Sequence, residues 1–257
     1  MEKFNPSKKL GQNFLINPQI PIDIVDKINF DGVDLIIEIG PGTGALTKEL
    51  VKKNIPMTAI ELDKRLYATI KNEYLNINVI NDDVLKVDFQ NIIKGYKNPI
   101  IVSNLPYSIS SPMIFKFIKE IGVNVFYCML QKEVVDRLCA KPRTHQYNAF
   151  TVIVSYCCNI KNIINVGRNN FSPVPKVDSA VVSIVKKPKQ TYINEFDLFL
   201  KKCFCSKRQM LVNNLKNVYT KQIVIDALSK HNIGIKSRAE ELNVEELFKL
   251  YSCLSIV

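Results

Sequence analysis

The sequence lacks long hydrophobic runs, and no apolar stretch approaches the roughly eighteen residues that a membrane-spanning helix requires. The segment Met1–Phe4 also has neither the apolar core of a signal peptide nor the arginine- and serine-rich character of a transit peptide. We therefore expect a cytoplasmic protein that does not bind membranes. Because 47% of the 257 residues are hydrophobic, a sizeable folded core is expected and disorder is excluded.

Residues that bind metals are also scarce and unsuitably spaced. Seven cysteines are present, but no two of them form a Cys-x-x-Cys pair, and only two histidines accompany them. This pattern fits neither a zinc site nor a disulfide framework. Because several cysteines lie in apolar runs, we expect buried free thiols in a reducing compartment and no bound metal.

Acidic residues are missing from three long stretches of the chain, at residues 3–22, 137–177 and 198–225. These stretches together carry fifteen lysines and arginines, although the remaining residues are more often acidic than basic. Segregated positive charge is what a surface that binds nucleic acid requires, because neutralising the phosphates drives the affinity. A basic surface that serves only solubility is the alternative, but scattered lysines would not leave such long acid-free gaps.

What the sequence does contain is an alternation of apolar runs and helix-like segments. Strands are predicted at residues 34–39, 57–61, 78–80, 99–103, 123–130, 150–156 and 180–185. The first four follow one another through helical segments such as residues 45–53, and near-continuous apolar strands of this kind form parallel sheets covered on both faces. The last run is expected to add an antiparallel strand at the sheet edge. The chain is therefore predicted to be an α/β protein.

The C-terminal part differs, because strand patterns stop after the linker-like sequence at residues 186–189. Ser237-x-x-Glu240 and Asn243-x-x-Glu246 are patterns typical of helix starts. We predict an α/β domain at residues 1–187 and a small C-terminal helical domain at residues 188–257.

A glycine-rich turn follows the first predicted strand, with the sequence Glu38-Ile39-Gly40-Pro41-Gly42-Thr43-Gly44. Glycines allow a ligand to approach the backbone closely. Glu61 ends the second strand, where a carboxylate can accept hydrogen bonds from two ribose hydroxyls. Asp82 and Asp83 follow the third strand, where a carboxylate can bind an adenine amino group, although an ordinary polar turn is the alternative. The Gly-x-Gly-x-Gly spacing differs from the dinucleotide fingerprint and favours a nucleoside cofactor without a pyrophosphate.

The sequence Ser103-Asn104-Leu105-Pro106-Tyr107 follows the fourth strand, at the edge where such sheets bind ligands. An exocyclic adenine amine is a weak nucleophile because its lone pair is conjugated with the ring. The Asn104 side-chain oxygen and the Leu105 carbonyl can accept hydrogen bonds from this amine and direct its lone pair toward a methyl donor. Pro106 stiffens the turn, and the Tyr107 ring offers a stacking face that tolerates a developing cation. An asparagine turn closed by a core tyrosine is the alternative.

At these residues the chain resembles the ribosomal RNA small-subunit adenine dimethyltransferase family. Asn-Leu-Pro-Tyr is that family's form of the Asn/Asp-Pro-Pro-Tyr motif of amino-methyltransferases. Further matching blocks, in family order, are Leu10–Leu15, Glu38–Gly44, Ile60–Asp63, Met129–Val134 and Phe171–Ser179. The resemblance implies a Rossmann-like class I methyltransferase sheet and the use of S-adenosylmethionine. It also implies dimethylation of the N6 amines of two adjacent adenosines near the 3′ end of small-subunit ribosomal RNA.

The resemblance further assigns roles to individual residues. It implies cofactor contacts at Asn13, Leu15, Gly40, Gly42, Glu61, Asp83 and Asn104. It implies catalytic roles for Asn104, Leu105, Pro106, Tyr107 and Phe171. Phe171 is expected to be the second wall of the base pocket, opposite Tyr107, and a core aromatic beside a proline turn is the alternative. The helical domain is expected to bind RNA in a pre-ribosomal particle, and the protein is expected to act as a monomer during ribosome maturation.

The chain also departs from the family. Ser103, Ser108 and Asn148 stand where glycine, asparagine and glycine are usual, and none of these changes removes an assigned acceptor or stacking group. The tail sequence Phe204-x-x-Lys207-Arg208-Gln209 has lost one basic position. The lost positive charge affects the expected strength of the contact between the tail and RNA, not its existence.

Three other functions fit parts of the pattern. A dimethylase of large-subunit RNA shares nearly all the motifs, but Leu105 and the block Met129–Val134 favour the small-subunit group. A ribosome-assembly or transcription factor without catalysis is disfavoured by the intact Glu61, Asp83 and Asn104–Tyr107. A nicotinamide-dependent dehydrogenase is disfavoured by the glycine spacing and by the lack of an obvious histidine or lysine for a hydride-transfer site.

Overall fold

The computed structural model describes residues 6–7 and 10–255. Lys3, Lys8 and Lys9, which belong to the first acid-free stretch, lie outside the described residues. Within the described part, helices and strands alternate through the first two thirds of the chain, and helices make up the last third.

The chain forms two compact units. Unit 1 comprises the described residues up to Val135 together with Asn159–Lys186. Unit 2 comprises Asp136–Cys158 together with the described residues from Lys187 onward. The chain therefore passes from one unit to the other three times.

Most of the strands form one sheet. The described strands are β1 (Phe14–Leu15), β2 (Leu35–Ile39), β3 (Met57–Glu61), β4 (Asn78–Asn81), β5 (Pro99–Asn104), β6 (Val125–Gln131), β7 (Cys158–Val166), β8 (Phe171–Ser172) and β9 (Ser179–Lys186). Seven of them lie in the order β4-β3-β2-β5-β6-β9-β7, and β1 pairs with β8 in a separate two-stranded sheet. Strands β2 to β6 pair in parallel, and β9 is antiparallel to β6. Strands β2 and β3 are buried along their whole length, as expected for parallel strands covered on both faces.

The helices follow the strands of unit 1 and then fill unit 2. They are α1 (Gln19–Asp26), α2 (Thr47–Leu50), α3 (Lys64–Glu73), α4 (Phe89–Ile93), α5 (Ser110–Lys119), α6 (Lys132–Leu138), α7 (Ala149–Cys157), α8 (Asn194–Cys203), α9 (Leu211–Leu215), α10 (Lys221–Lys230) and α11 (Val244–Leu254). The predicted α/β fold class and its C-terminal helical part are confirmed. The antiparallel pairing of the last strand is also confirmed, although β7 lies outside β9 and forms the sheet edge.

The predicted strand at residues 150–156 is wrong, because this segment lies within helix α7. The helix begins at a capping box in which the Asn148 side chain accepts from Thr151 N at 3.2 Å and Thr151 Oγ1 accepts from Asn148 N at 3.3 Å. A short apolar run does not by itself distinguish a buried strand from a buried helix. Asn148 therefore has a structural role as the residue that caps α7.

The composition of unit 2 differs from the predicted helical domain, because residues 136–158 belong to it as well. The Tyr156 ring in α7 stacks on Phe248 in α11 with ring centroids 4.8 Å apart, and it meets Phe196 in α8 edge-on at 5.2 Å. These contacts join α7 to the tail helices in one aromatic core. The chain enters unit 2 for the second time at Lys187.

The two predicted helix starts in the tail have different outcomes. Helix α11 begins as expected, because Asn243 Oδ1 accepts from Glu246 N at 2.9 Å and Glu246 Oε2 accepts from Asn243 N at 2.8 Å. The predicted start at Ser237 is instead followed by a short 3-10 helix at Ala239–Glu241, in which Arg238 N donates to Glu241 Oε2 at 2.8 Å.

Candidate cofactor and base-binding site

A cavity of about 280 Å³ opens at the carboxyl ends of β2, β3, β4 and β5 in unit 1. Its walls come from the N-terminal segment at residues 10–15, the glycine turn, the ends of β3 and β4, and the sequence that follows β5. Parallel strands bring their carboxyl ends to one edge of a sheet, and ligands bind there in open α/β folds. The cavity is therefore the candidate functional site.

The glycine turn is a backbone arrangement that side chains would obstruct. Gly40 and Gly42 have φ angles of +66° and +59°, in the left-handed region that favours glycine. A Cβ atom on Gly42 would lie 3.1 Å from Phe14 Cε1, closer than side chains normally approach. The turn therefore offers bare backbone to the cavity.

Glu61 is fixed by the same turn. Its side chain is 6% exposed, Oε2 accepts from Gly42 N at 3.1 Å, and Oε1 accepts from Asp63 N at 2.9 Å. Burial raises the pKa of Glu61 above its ordinary value, and the two backbone N–H groups act in the opposite direction. A carboxylate has about four acceptor positions, so Glu61 can also accept hydrogen bonds from the two hydroxyls of a ribose.

Glu38 is a second buried carboxyl group in the cavity wall, and the sequence analysis assigned it no role. It is 1% exposed, and Thr47 Oγ1 donates to Glu38 Oε2 at 2.6 Å. Burial raises the pKa of Glu38 to about 8, a rise that the Thr47 hydrogen bond partly offsets and the charge of Glu61 enhances. The sequence signal was a glutamate in an otherwise apolar strand.

This raised pKa predicts how stability depends on pH. The folded protein binds the Glu38 proton more tightly than the unfolded chain does, so the stabilisation is complete below about pH 4.5 and is lost as the pH rises toward about 8. The Glu38→Gln variant has no proton to lose. We expect the free energy of unfolding of the wild type to fall relative to this variant by up to about 1.4 kcal/mol per pH unit between pH 5 and 8. Urea denaturation of both proteins across this range measures the difference, and parallel pH profiles would contradict the prediction.

The end of β4 supplies two further carboxylates. Asp82 Oδ1 accepts from Asp83 N at 2.7 Å, and Asp83 Oδ1 accepts from Leu85 N at 3.0 Å. Both aspartates line the cavity. Because Asp83 is oriented through one oxygen, its other oxygen can accept from an adenine amino group.

The N-terminal segment is held over the cavity by hydrogen bonds to Asp63, which caps the start of α3, and to Asn104 at the end of β5. Gln12 Nε2 donates to Asp63 Oδ2 at 3.1 Å, and Asn104 Nδ2 donates to the Asn13 carbonyl at 3.4 Å. Hydrogen bonds from Arg65 and Gln12 outweigh partial burial and lower the pKa of Asp63 to about 2, so this anchor is ionised at neutral pH. Asn13 and Leu15 line the cavity as a result, although nothing in the local sequence distinguishes them from a surface loop.

The predicted catalytic residues 104–107 lie in the wall of the same cavity. A Cβ atom on Gly40 would be 3.9 Å from the Asn104 carbonyl oxygen, so the motif directly adjoins the glycine turn. The Asn104 amide donates to Asn13, which leaves its side-chain oxygen to accept from a base. The Tyr107 hydroxyl is hydrogen-bonded to Ser179 Oγ at 2.8 Å. The buried Ser103 hydroxyl donates to the Ile39 carbonyl at 2.7 Å, so serine is accommodated at this position.

The structure does not place Phe171 in this cavity. Phe171 is 1% exposed and belongs to the same buried cluster as Leu15, Val166 and Val181. The cause is strand pairing, since Phe171 lies opposite Leu15 in the β1–β8 ladder and is buried while Ser172 is exposed. Phe171 thus lies among buried core residues in this structure, and its expected role as the second wall of the base pocket stays a prediction.

Within residues 6–7 and 10–255, no three histidine, cysteine, aspartate or glutamate side chains are grouped so that they could hold a metal ion. None of the helices in this part of the chain combines the length and the apolar character needed to cross a membrane.

Comparison with known proteins points to one family. The sequence profile of ribosomal RNA adenine dimethylases matches residues 3–255. The chain is 43% identical to the ribosomal RNA small subunit methyltransferase A of Ureaplasma parvum, covering 99% of this chain and 95% of that protein. It is 44% identical to the protein of the same name from Malacoplasma penetrans, with 96% and 92% covered. The crystal structure of a dimethyladenosine transferase from Plasmodium falciparum has a TM-score of 0.81 at 29% identity and covers 92% of this chain and 95% of that chain.

Proposed function

The chain belongs to the ribosomal RNA adenine dimethylase family, and from this premise we propose that it dimethylates the N6 amines of two adjacent adenosines near the 3′ end of small-subunit ribosomal RNA while the particle matures. The single observation that carries the proposal is that Asn104–Tyr107, Glu61, Asp83 and the glycine turn line one cavity. A methyl donor bound through its nucleoside would thus lie beside the groups that hold the target amine. The relatives named for the small subunit favour that RNA over large-subunit RNA.

The residues of the cavity fit S-adenosylmethionine. Glu61 can hold the ribose, Asp83 can bind the adenine amino group, and the bare backbone of Gly40 and Gly42 leaves room for the amino-acid portion. The turn provides no pyrophosphate cradle, which agrees with a cofactor that has no phosphate. S-adenosylmethionine supplies an electrophilic methyl group on its sulfonium sulfur.

The chain's own residues then act on the target adenine. The base must leave its stack for its amine to reach the cavity. The Asn104 side-chain oxygen and the Leu105 carbonyl accept the two amine hydrogens, so the nitrogen becomes pyramidal and its lone pair is directed at the methyl group. The Tyr107 ring supports the base and its developing positive charge. The methylated amine is cationic and releases one proton to water, so one N–H remains, and either acceptor can orient it for the second transfer.

Subunit particles provide the test of this function. We expect the protein to transfer labelled methyl groups from S-adenosylmethionine to immature small-subunit particles and not to large-subunit particles. Mass spectrometry of the labelled RNA should locate N6,N6-dimethyladenosine at two neighbouring positions near the 3′ end. Labelling confined to large-subunit RNA would favour the alternative dimethylase, and binding without any transfer would favour an assembly factor.

We also propose that unit 2 binds RNA phosphates. Two of its basic segments adjoin each other, because Lys207 Nζ donates to the His145 carbonyl at 2.8 Å. Arg143 is exposed in the first segment, and Arg208 is exposed in the second. The structure thus brings together two residues that are 62 positions apart in the sequence, one from each of two acid-free stretches. Exposed cations on adjoining loops are suited to contact consecutive phosphates of one strand.

Removing these positive charges should weaken RNA binding and make the affinity less dependent on salt concentration. We expect the Arg143→Ala/Arg208→Ala variant to reduce the slope of log affinity against log salt concentration by about one to two units, since about one counterion is released per phosphate contact. Filter binding of small-subunit RNA between low and moderate salt measures this slope. The matched control is Lys94→Ala/Lys97→Ala. These two exposed lysines of unit 1 precede β5, at the edge of the sheet that is opposite to the cavity. An unchanged slope in the arginine variant would contradict the proposal.

A further inference from the structure

One hydrogen bond joins the proposed base-binding motif to a strand that lies far from it in the sequence. The Tyr107 hydroxyl lies 2.8 Å from Ser179 Oγ, and the two residues are 72 positions apart in the sequence. Tyr107 follows β5, and Ser179 is the first residue of β9. Two strands that are not neighbours in the sheet are therefore linked across its carboxyl edge.

Ser179 is a rigid anchor for this bond. It is 0% exposed, and it lies opposite Gln131 in the β6–β9 ladder. The preceding residue, Asp178, accepts from Lys132 N through its carbonyl and from Arg168 N through Oδ1, each at 2.9 Å. The backbone that carries the Ser179 hydroxyl is thus fixed by its pairing with β6 and by the hydrogen bonds of Asp178.

Tyr107, in contrast, lies in a short segment after β5, and its side chain is only partly enclosed. It begins a short 3-10 helix at Tyr107–Ile109, its side chain is half-buried, and it lines the cavity. Burial raises the pKa of Tyr107, so its hydroxyl keeps its proton near neutral pH and can donate to Ser179.

We infer that Ser179 is a positioning residue for base methylation, whose hydroxyl fixes the plane of the Tyr107 ring against which the target adenine stacks. The inference rests on the proposed function, and it deepens that function by giving Ser179 a task and by restricting Tyr107 to its ring. The Tyr107 hydroxyl then serves orientation and does not accept the proton released by the amine. Misplacing a stacked base by a fraction of an ångström lowers the rate of transfer without changing how the methyl donor is held.

A double-mutant cycle tests this coupling. The variants are Ser179→Ala, Tyr107→Phe and the two combined, and the measurement is the single-turnover rate of methyl transfer to small-subunit particles at saturating S-adenosylmethionine. We expect each single variant to be slower by about tenfold, and the combined variant to be no slower than the slower single variant, since both changes remove one shared bond. The dissociation constant of S-adenosylmethionine and the thermal unfolding midpoint should stay close to those of the wild type.

Ser183→Ala is the matched control, because Ser183 is also buried and lies four residues further along β9, on the same face. It should transfer methyl groups at the wild-type rate. The inference would be overturned if Ser179→Ala kept the wild-type rate, if the losses were additive in the combined variant, or if they followed cofactor affinity or stability. None of these results would contradict the proposed function. If the wild-type protein transferred no methyl group to RNA, the proposed function would fall and this inference with it.

Discussion

Replacing Asn104 with alanine is expected to lower the single-turnover rate of methyl transfer by about 10²- to 10³-fold, the usual cost of removing one polar group that acts on the reacting atoms. The wild-type amide donates to Asn13 through Nδ2 and keeps its oxygen for the target amine. Alanine supplies no acceptor, so the lone pair of the amine stays conjugated with the adenine ring. The measurement is labelled methyl transfer to small-subunit particles with the cofactor at saturation.

RNA affinity separates this chemical effect from misfolding. The Asn104→Ala variant should bind small-subunit RNA with nearly wild-type affinity, because the proposed phosphate contacts lie in unit 2. Asn98→Ala serves as the control, since Asn98 is exposed just before the same strand. Full activity in the Asn104 variant would discard the amine-orienting role of this residue.

The second large effect concerns cofactor binding. The Glu61→Ala variant should bind S-adenosylmethionine at least about 100-fold more weakly, because it loses two hydrogen bonds from ribose hydroxyls to a charged acceptor. It also leaves Gly42 N and Asp63 N without the acceptor that holds the glycine turn in place. Isothermal titration calorimetry measures the affinity, with Glu245→Ala as a control at an exposed glutamate of α11. Wild-type affinity in the Glu61 variant would remove this residue from the cofactor site.

The raised pKa of Glu61 adds a pH dependence to the same binding step. The carboxylate accepts ribose hydroxyls best when it is ionised, so affinity should be highest above its pKa and fall as the pH drops through it. Glu61→Gln does not titrate, so its weaker affinity should change less over that range. Calorimetry at several pH values compares the two, and equal pH dependence would show that another group is responsible.

Much of the cavity could be predicted because its residues follow strands. Glu61, Asp83 and Asn104 each stand at the end of an apolar run, and parallel pairing of those runs places the three at one edge of the sheet. The left-handed φ angles of Gly40 and Gly42 likewise explain why glycine recurs in the turn. Local sequence and sheet geometry lead to the same arrangement at this edge.

The parts that could not be predicted depend on contacts between distant residues. Helix α7 is as apolar as a strand, and only the capping box at Asn148 and packing on the tail helices distinguish it. The resemblance predicts that Phe171 lines the base pocket, whereas its pairing with Leu15 places its side chain among buried core residues. Ser179 lies in a matching sequence block, but nothing in the local sequence connects it with Tyr107, which precedes it by 72 residues.

The three passages of the chain between the units have a consequence for biosynthesis. Strand β6 can pair with β9 only after residues 179–186 have been synthesised, and the aromatic core around α7 can form only after α11 has been synthesised. Pairing over such sequence distances is slow, because long loops must close before the contacts form. The nascent polypeptide therefore exposes an unpaired apolar edge beside β6 until β9 has been synthesised, and folding assistance at that stage should raise the yield of active enzyme.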